Sequence, residues 1–246
     1  MQAWIGGIVA VLCILLLEAP TRQHGPFEVF GIDVSHYQSR VDWDTVAHQG
    51  IRFAFVKATE GITHQDSLFC LNWTGIRDAG LKRGAYHFFR PGVPATEQAH
   101  NFLSLVDLQG GDLPPVLDVE VIDEASEEEL VAGVRQWLME VELRYRIKPI
   151  LYTNLKFYHK YLDGHFEDYP VWIARYNHIF QPRLAGGKEW HFWQYANRGE
   201  MRGIDGHVDF NVFRGDWTEL DAICLPEGHI LTPGEEKQAL KSKPWL

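Results

Sequence analysis

Beyond about residue 27, short runs of apolar or β-branched residues alternate along the chain with longer amphipathic stretches. The short runs predict strands at residues 30–34, 53–57, 84–89, 116–121, 150–153, 171–175, 192–195 and 208–213. Several are apolar at successive positions, the pattern of parallel strands covered on both faces. Helical periodicity is clearest at residues 66–79, 95–106 and 126–145. Ser126 followed by Glu129 has the spacing of a capping box and opens the third of these. The connections between the last three strands carry Gly, Asn and Arg without a helical pattern. Strand and helix alternating through one domain predict an α/β fold: an irregular, flattened (β/α) barrel of about eight strands, TIM-barrel-like, over residues 27–225. A doubly wound open sheet is the alternative.

Residues 3–17 (AWIGGIVAVLCILLL) form one unbroken apolar run, followed by Glu18-Ala19-Pro20. A membrane-spanning helix needs about 20 residues, so the run reads as the core of a secretory signal occupying about residues 1–22. No Lys or Arg precedes it, which leaves a short uncleaved membrane anchor as the alternative. The expected location is secreted or periplasmic. Residues 226–246 read as a polar tail.

Composition narrows the function. With 46% hydrophobic residues the chain can build a packed core, which excludes a disordered or fibrous protein. Its 23 basic against 33 acidic residues give a formal charge of −10, a field that repels phosphate backbones, so no nucleic-acid partner is expected. Cys13 lies in the signal, leaving Cys70 and Cys224, two thiols that an oxidising compartment could join. No CxxC and no Cys/His cluster is present, so no metal and no cofactor are expected. His87, alternating with aromatic residues, reads as a hydrogen-bonded structural residue.

The candidate chemistry sits at the strand ends, where a (β/α) barrel builds its active face. The first strand ends in Asp33 and the fourth carries Asp118 and Glu120. The last opens with Val208-Asp209. Residues two apart on a strand point to one face, so Asp118 and Glu120 both aim inward while Leu117, Val119 and Val121 aim outward. Carboxylates crowded in a cleft repel one another and raise one pKa, so that an acid and an anion coexist near neutral pH. Glycoside hydrolysis needs that combination. A buried, hydrogen-bonded pair without catalytic purpose is the alternative. Aromatic platforms suited to sugars are available in Tyr86, Tyr152, Trp172, Tyr176 and Tyr195, with Gln194 beside the last.

These residues resemble a known family. Gly31-Ile32-Asp33-Val34-Ser35, Gln38, Asp42-Trp43, Phe53-Ala54-Phe55-Val56-Lys57-Ala58-Thr59-Glu60-Gly61 and Gly84-Ala85-Tyr86-His87-Phe88 are similar to segments of the lysozymes of glycoside hydrolase family 25. So are Leu117-Asp118-Val119-Glu120, Tyr152-Thr153-Asn154, Trp172-Ile173-Ala174-Arg175-Tyr176, Trp193-Gln194-Tyr195 and Val208-Asp209-Phe210-Asn211. The series runs in order from about residue 30 to about 217. Tyr37 departs from it, standing where the family often has Trp. The resemblance implies a β-1,4-N-acetylmuramidase acting on peptidoglycan glycan strands; a monomer is expected. It implies Glu120 as general acid and Asp118 as nucleophile or as the carboxylate that orients the substrate's acetamido group. Asp33 and Asp209 would complete the acidic site.

Three other readings compete. A chitinase-like N-acetylglucosamine glycosidase would also use an Asp-x-Glu strand, but Pro114 to Leu117 lack the further acids expected before it. A non-catalytic glycan-binding module would not need all four acids. A metal-dependent hydrolase would need His or further acids at the strand ends, which Lys57 and His87 do not supply.

Overall fold

Segments that are apolar on both faces must be covered on both. The chain achieves this by rolling one sheet into a tube, with side chains filling the inside and helices covering the outside. The computed structural model describes residues 27–176 and 180–226. The predicted secretory signal, and all of the predicted tail except Pro226, lie outside the described residues. The described residues form nine strands: β1 (Val29–Val34), β2 (Ile51–Glu60), β3 (His64–Gln65), β4 (Lys82–Phe88), β5 (Val116–Asp118), β6 (Ile150–Asn154), β7 (Val171–Ala174), β8 (Phe192–Gly199) and β9 (Val208–Phe213). Helices α1 (Trp43–Ala47), α2 (Phe69–Asp78), α3 (Ala95–Leu105), α4 (Glu127–Tyr145), α5 (Leu155–Phe157) and α6 (Trp217–Ala222) lie between and after them. All eight expected strands form. The ninth, β3, is a two-residue antiparallel addition to the end of β2.

The sheet closes. β1 pairs with β2 on one side and β9 on the other, and the remaining strands follow in the order β4-β5-β6-β7-β8. The architecture is a single-domain, closed eight-stranded barrel. The barrel is mixed, because β9 runs antiparallel to both β8 and β1. The reason lies in the connection. Residues 200–207 are too few for a crossover, which takes a dozen or more, so β8 must return as a hairpin. Gly203 and Gly206 turn that hairpin with φ of 91° and 84°. Its tip is tied to the barrel side where Asp42 N donates to Gly203 O at 2.8 Å.

Alternation along the strands divides the core in two. Phe53, Phe55, Val116, Ile150, Trp172, Phe192 and Phe213 fill the barrel interior. Ala54, Val56, Leu117, Val119, Leu151 and Ile173 face outward and pack beneath Ile76, Phe102, Trp137 and Val141 of the helices. Gly31 and Gly84 make room for the interior rings, since a Cβ on either would run into Phe53 or Phe55. Helix α4 opens with the expected capping box: Ser126 Oγ accepts from Glu129 N and Glu129 Oε2 accepts from Ser126 N. His87 is structural, as expected. Its ring is buried against Trp137 and is bonded to Thr59 Oγ1 at 2.6 Å and Gln98 Oε1 at 3.1 Å. Burial holds it neutral, with a pKa pushed down to about 4. Cys70, exposed on α2, and Cys224, buried, are both free thiols.

Candidate active site

At the C-terminal ends of the parallel strands the interior side chains change from aromatic to polar, and a cleft of about 270 Å³ opens there. Asp33, Asp118, Glu120 and Asp209 all line it. The antiparallel course of β9 explains why Asp209 belongs to this group although it lies at the start of its strand. That start reaches the same end of the barrel, where Asp209 is the direct register partner of Asp33. Asp118 is the last residue of β5, and Glu120 lies just past the strand rather than on it. The backbone nonetheless stays extended, held by Phe89 N to Asp118 O and Val119 N to Tyr152 O, both at 2.9 Å. Both acids therefore face the cleft, while Leu117 and Val119 pack outward.

Each acid has its own surroundings. Asp33 is 7% exposed, and its Oδ2 accepts from Asn211 Nδ2 at 2.7 Å and Gln194 Nε2 at 2.8 Å. These partners are held in turn: Asn211 Oδ1 accepts from Trp172 Nε1, and Gln194 Oε1 accepts from the hydroxyls of Tyr152 and Tyr176. Glu120 is hydrogen-bonded by the Asn154 side chain, whose Oδ1 also caps α5. Asp118 is 6% exposed, and its Oδ1 has no hydrogen-bond partner among the described residues. One cation also lines the cleft. Lys57 Nζ lies 2.6 Å from Glu60 Oε2, and Glu60 Oε1 is gripped by Arg90 at 2.6 and 2.9 Å.

Burial raises every one of the four pKa values, and neighbouring carboxylates add to the shift for Asp118, Glu120 and Asp209. Burial pushes Asp118 well above the carboxylate range and Glu120 adds to the shift, while Lys57 opposes it. Burial also raises Glu120, with Asn154 opposing and Asp33 reinforcing the shift. Asp33 is raised by burial and held back by Asn211 and Gln194. Asp209 is pushed up to about 8, by burial first and then by the neighbouring Asp33. Like charges opposite one another across two strands cannot both ionise cheaply, so this pair shares a proton that rests on Asp209.

That proton has a consequence for stability. The native pKa of Asp209 lies above its ordinary value of 3.8, so the folded chain binds the proton more tightly than the unfolded chain. The associated stability is complete below about pH 4 and is lost as pH rises through about 8. Between pH 5 and 8 the unfolding temperature of the wild type should therefore fall more steeply than that of Asp209→Asn, as followed by circular dichroism. Parallel curves would show that Asp209 is not the proton carrier.

Tyr86, Tyr152, Trp172, Tyr176 and Gln194 line the cleft as well. Trp172 forms part of its floor, 1% exposed and stacked on Phe55 at 4.5 Å. Tyr176 stands at the rim, 53% exposed. Tyr195 is the correction. It is buried in the outer layer, stacked on Phe210 and edge-on to Trp193, and is not among the residues that line the cleft. Gln194 faces in, so its strand neighbour must face out. Lys57, Asn154, Asn211 and the exposed rim residue Tyr37 belong to the site although sequence reasoning gave them no role. For Lys57 the signal was a polar residue near the end of an otherwise apolar strand. Asn211 offered no comparable signal, because its partner Asp33 lies 178 residues away. Among the described residues no group of His, Cys, Asp and Glu is arranged to hold a metal ion.

The arrangement matches proteins already known. Residues 32–204 match the model of the glycosyl hydrolases family 25. An uncharacterized protein of Escherichia coli, YegX, is 49% identical over 203 residues, covering 80% of this chain and 74% of its own. Lysozyme M1 of Streptomyces globisporus is 34% identical over 227 residues, covering 82% of this chain and 74% of its own. The structure of a family 25 glycosyl hydrolase from Bacillus anthracis superposes with a TM-score of 0.76 at 32% identity, covering 82% of this chain and 98% of that one. With an acidic cleft at the mouth of a closed barrel, and with matches of this extent in both sequence and fold, the chain is a glycoside hydrolase and belongs to family 25 of the glycosyl hydrolases.

Proposed function

We propose that the enzyme is a muramidase that hydrolyses the β-1,4 bond between N-acetylmuramic acid and N-acetylglucosamine in peptidoglycan. The observation that carries this reading is the contrast between two neighbouring acids: Glu120 is hydrogen-bonded by Asn154, whereas the buried Oδ1 of Asp118 has no partner. Glu120, as general acid, delivers its proton to the leaving glycosidic oxygen as the bond to the anomeric carbon breaks. Asp118 Oδ1 accepts from the N–H of the sugar's acetamido group and turns the acetamido oxygen toward the anomeric carbon. The bond that forms there is opened by water, whose proton returns to Glu120. Direct attack by Asp118 on the anomeric carbon is the second reading. It has less support, because a carboxyl so strongly raised by burial is a poor nucleophile until something stabilises its anion.

The same logic locates the proton. In the free cleft, burial raises both Asp118 and Glu120. An acetamido N–H donating to Asp118 stabilises its anion, so bound substrate leaves the proton on Glu120, where the chemistry needs it. This reading includes export, with residues 3–17 as a secretory signal, and a monomer acting on glycan strands. It is tested by digesting purified peptidoglycan, reducing the products with borohydride and identifying the new ends by mass spectrometry. Reduced muramic acid ends are expected. Reduced glucosamine ends would keep the hydrolase and change the bond, and no new ends would overturn the reading.

A further inference from the structure

Strand β2 carries a lysine into the acidic cleft. Phe53 and Phe55 point into the barrel, and alternation brings Lys57 to the same face, where it lines the cleft with its side chain 11% exposed. No other Lys, Arg or His among the described residues lines it. A lysine is rarely buried without a partner, and an interruption of β2 supplies one. The register of β2 against β4 slips between Lys57, opposite Tyr86, and Thr59, opposite His87, so that Ala58 is an extra residue. Ala58 and Thr59 then both face the outer layer: Ala58 packs in the outer core, and Thr59 Oγ1 is bonded to the His87 ring. Strict alternation would turn Glu60 outward as well. The bulge instead brings it round to the ammonium, with Oε2 2.6 Å from Lys57 Nζ.

This pairing does not cancel the charge. Glu60 Oε1 accepts from Arg90 Nε and Nη2 at 2.9 and 2.6 Å, so one carboxylate is shared by two cations. Lys57 Nζ also lies 5.2 Å from the centre of the Phe88 ring, and Phe88 is the register partner of Asp118 on the neighbouring strand. Charged groups face Asp118 from three directions: Glu120 from the segment beyond β5, Lys57 and Glu60 from β2, and Asp33 from β1. Tyr86 on β4 and Tyr152 on β6 add hydroxyls that burial keeps neutral. Of all these groups only Lys57 carries the charge that favours an Asp118 anion.

We propose that Lys57 is a positioning residue of the reaction: aimed by the bulge and steadied by Glu60 and Arg90, its ammonium holds Asp118 as the anion that the substrate's acetamido N–H needs. The proposal rests on the muramidase reading above. Glu60 acts as the counterweight. A lysine without it would pair with Asp118 directly and occupy the acceptor that the substrate requires. Sharing Glu60 keeps Nζ back, and Asp118 Oδ1 has no hydrogen-bond partner among the described residues.

The test is the pH profile of kcat on soluble peptidoglycan strands at saturation, read from new reducing ends. It compares the wild type, Lys57→Met, Lys57→Arg, Glu60→Gln and a control, Arg77→Met, which removes an exposed cation paired with Asp78. In the complex Asp118 must be ionised, so the acid limb of the profile follows its pKa. Losing Lys57 raises that pKa. The limb should move up by about one pH unit, the scale of one nearby opposite charge, with rates below it falling about tenfold. Losing the Glu60 charge acts the other way, and that limb should move down. Lys57→Arg should hold the limb near its wild-type position, and Arg77→Met should leave it unmoved. A side chain that only supported the fold would lower rates without moving the limb in opposite directions in the two variants. Glu60 is part-exposed at the end of β2, so Glu60→Gln carries the test if Lys57→Met does not fold. There a downward limb supports the role, and a fixed or upward one overturns it. Limbs that stay in place, or move the same way in Lys57→Met and Glu60→Gln, would overturn the role of Lys57 and leave the muramidase reading intact. No new reducing ends from the wild type would overturn both.

Discussion

Glu120→Gln is expected to lower kcat on peptidoglycan by roughly 10²–10⁴-fold, the contribution of a general acid placed at a leaving oxygen. The fold should survive. Glu120 lies past the end of β5 rather than inside the sheet, and a Gln side chain still accepts the hydrogen bond from Asn154. The check is a reducing-end assay with a thermal melt of both proteins and a glycan-binding titration. Binding close to wild type with turnover lost would assign the acid role, whereas retention of most activity would transfer it to another carboxyl. The pH dependence follows from the same group. Because Glu120 must be protonated to act, and its pKa is raised by burial, wild-type rates should fall on the alkaline side as pH passes through that value. A rate climbing steadily to pH 9 is incompatible with a protonated acid.

Asp118→Asn should cost on the order of 100-fold or more, the scale of one preorganised electrostatic contact in a dry site. The substitution preserves shape but removes a charge. It also exchanges an acceptor for either an amide oxygen or an amide N–H, and the N–H would oppose the substrate's own. A second, independent readout accompanies the loss of rate. Glu120 raises the pKa of Asp118, and repulsion between two charges is mutual, so losing the Asp118 charge makes Glu120 easier to ionise. The alkaline limb of the residual activity should therefore move to lower pH. Undiminished activity, or a limb that moves upward, would remove Asp118 from the role of anionic partner.

The site is electrostatically expensive, and the scaffold shows how the cost is met. Two cations approach the acids from the β2–β4 side, where Lys57 and Arg90 share Glu60 and both lie against the Phe88 ring, at 5.2 and 4.9 Å. Arg90 reaches on to Asp123 at 3.6 Å, in the segment that follows Glu120. Neutral amides serve the other side, where Gln194 and Asn211 converge on Asp33. Amides stabilise an anion without importing a full positive charge, so the neighbouring carboxyls can remain raised.

Much of this was legible in the linear pattern. Runs apolar on both faces announced buried strands, the 3.6-residue periodicity announced α2, α3 and α4, and Ser126 with Glu129 announced the cap of α4. The carboxylates stood out because charged residues are rare in such strands. One feature misled: Tyr195 was grouped with Gln194 although adjacent strand residues face opposite ways. The direction of β9 was not legible. Periodicity carries no direction, and only the short connection at residues 200–207 points to the hairpin. The two-residue β3 was too short to leave a pattern at all.

The sequence by itself determined which segments must be buried on both faces, hence an α/β fold, and which strands carry carboxylates near their ends; closure of the sheet through β1 is seen only in the structure. Only the tertiary structure decided where the protons sit. A pKa depends on desolvation and on partners that folding delivers, and for Asp33 these arrive from 161 and 178 residues away. Chain separation of that length leaves no periodic trace, so the pairing of Asp33 with Asp209 and the isolation of Asp118 Oδ1 exist only once the barrel has closed.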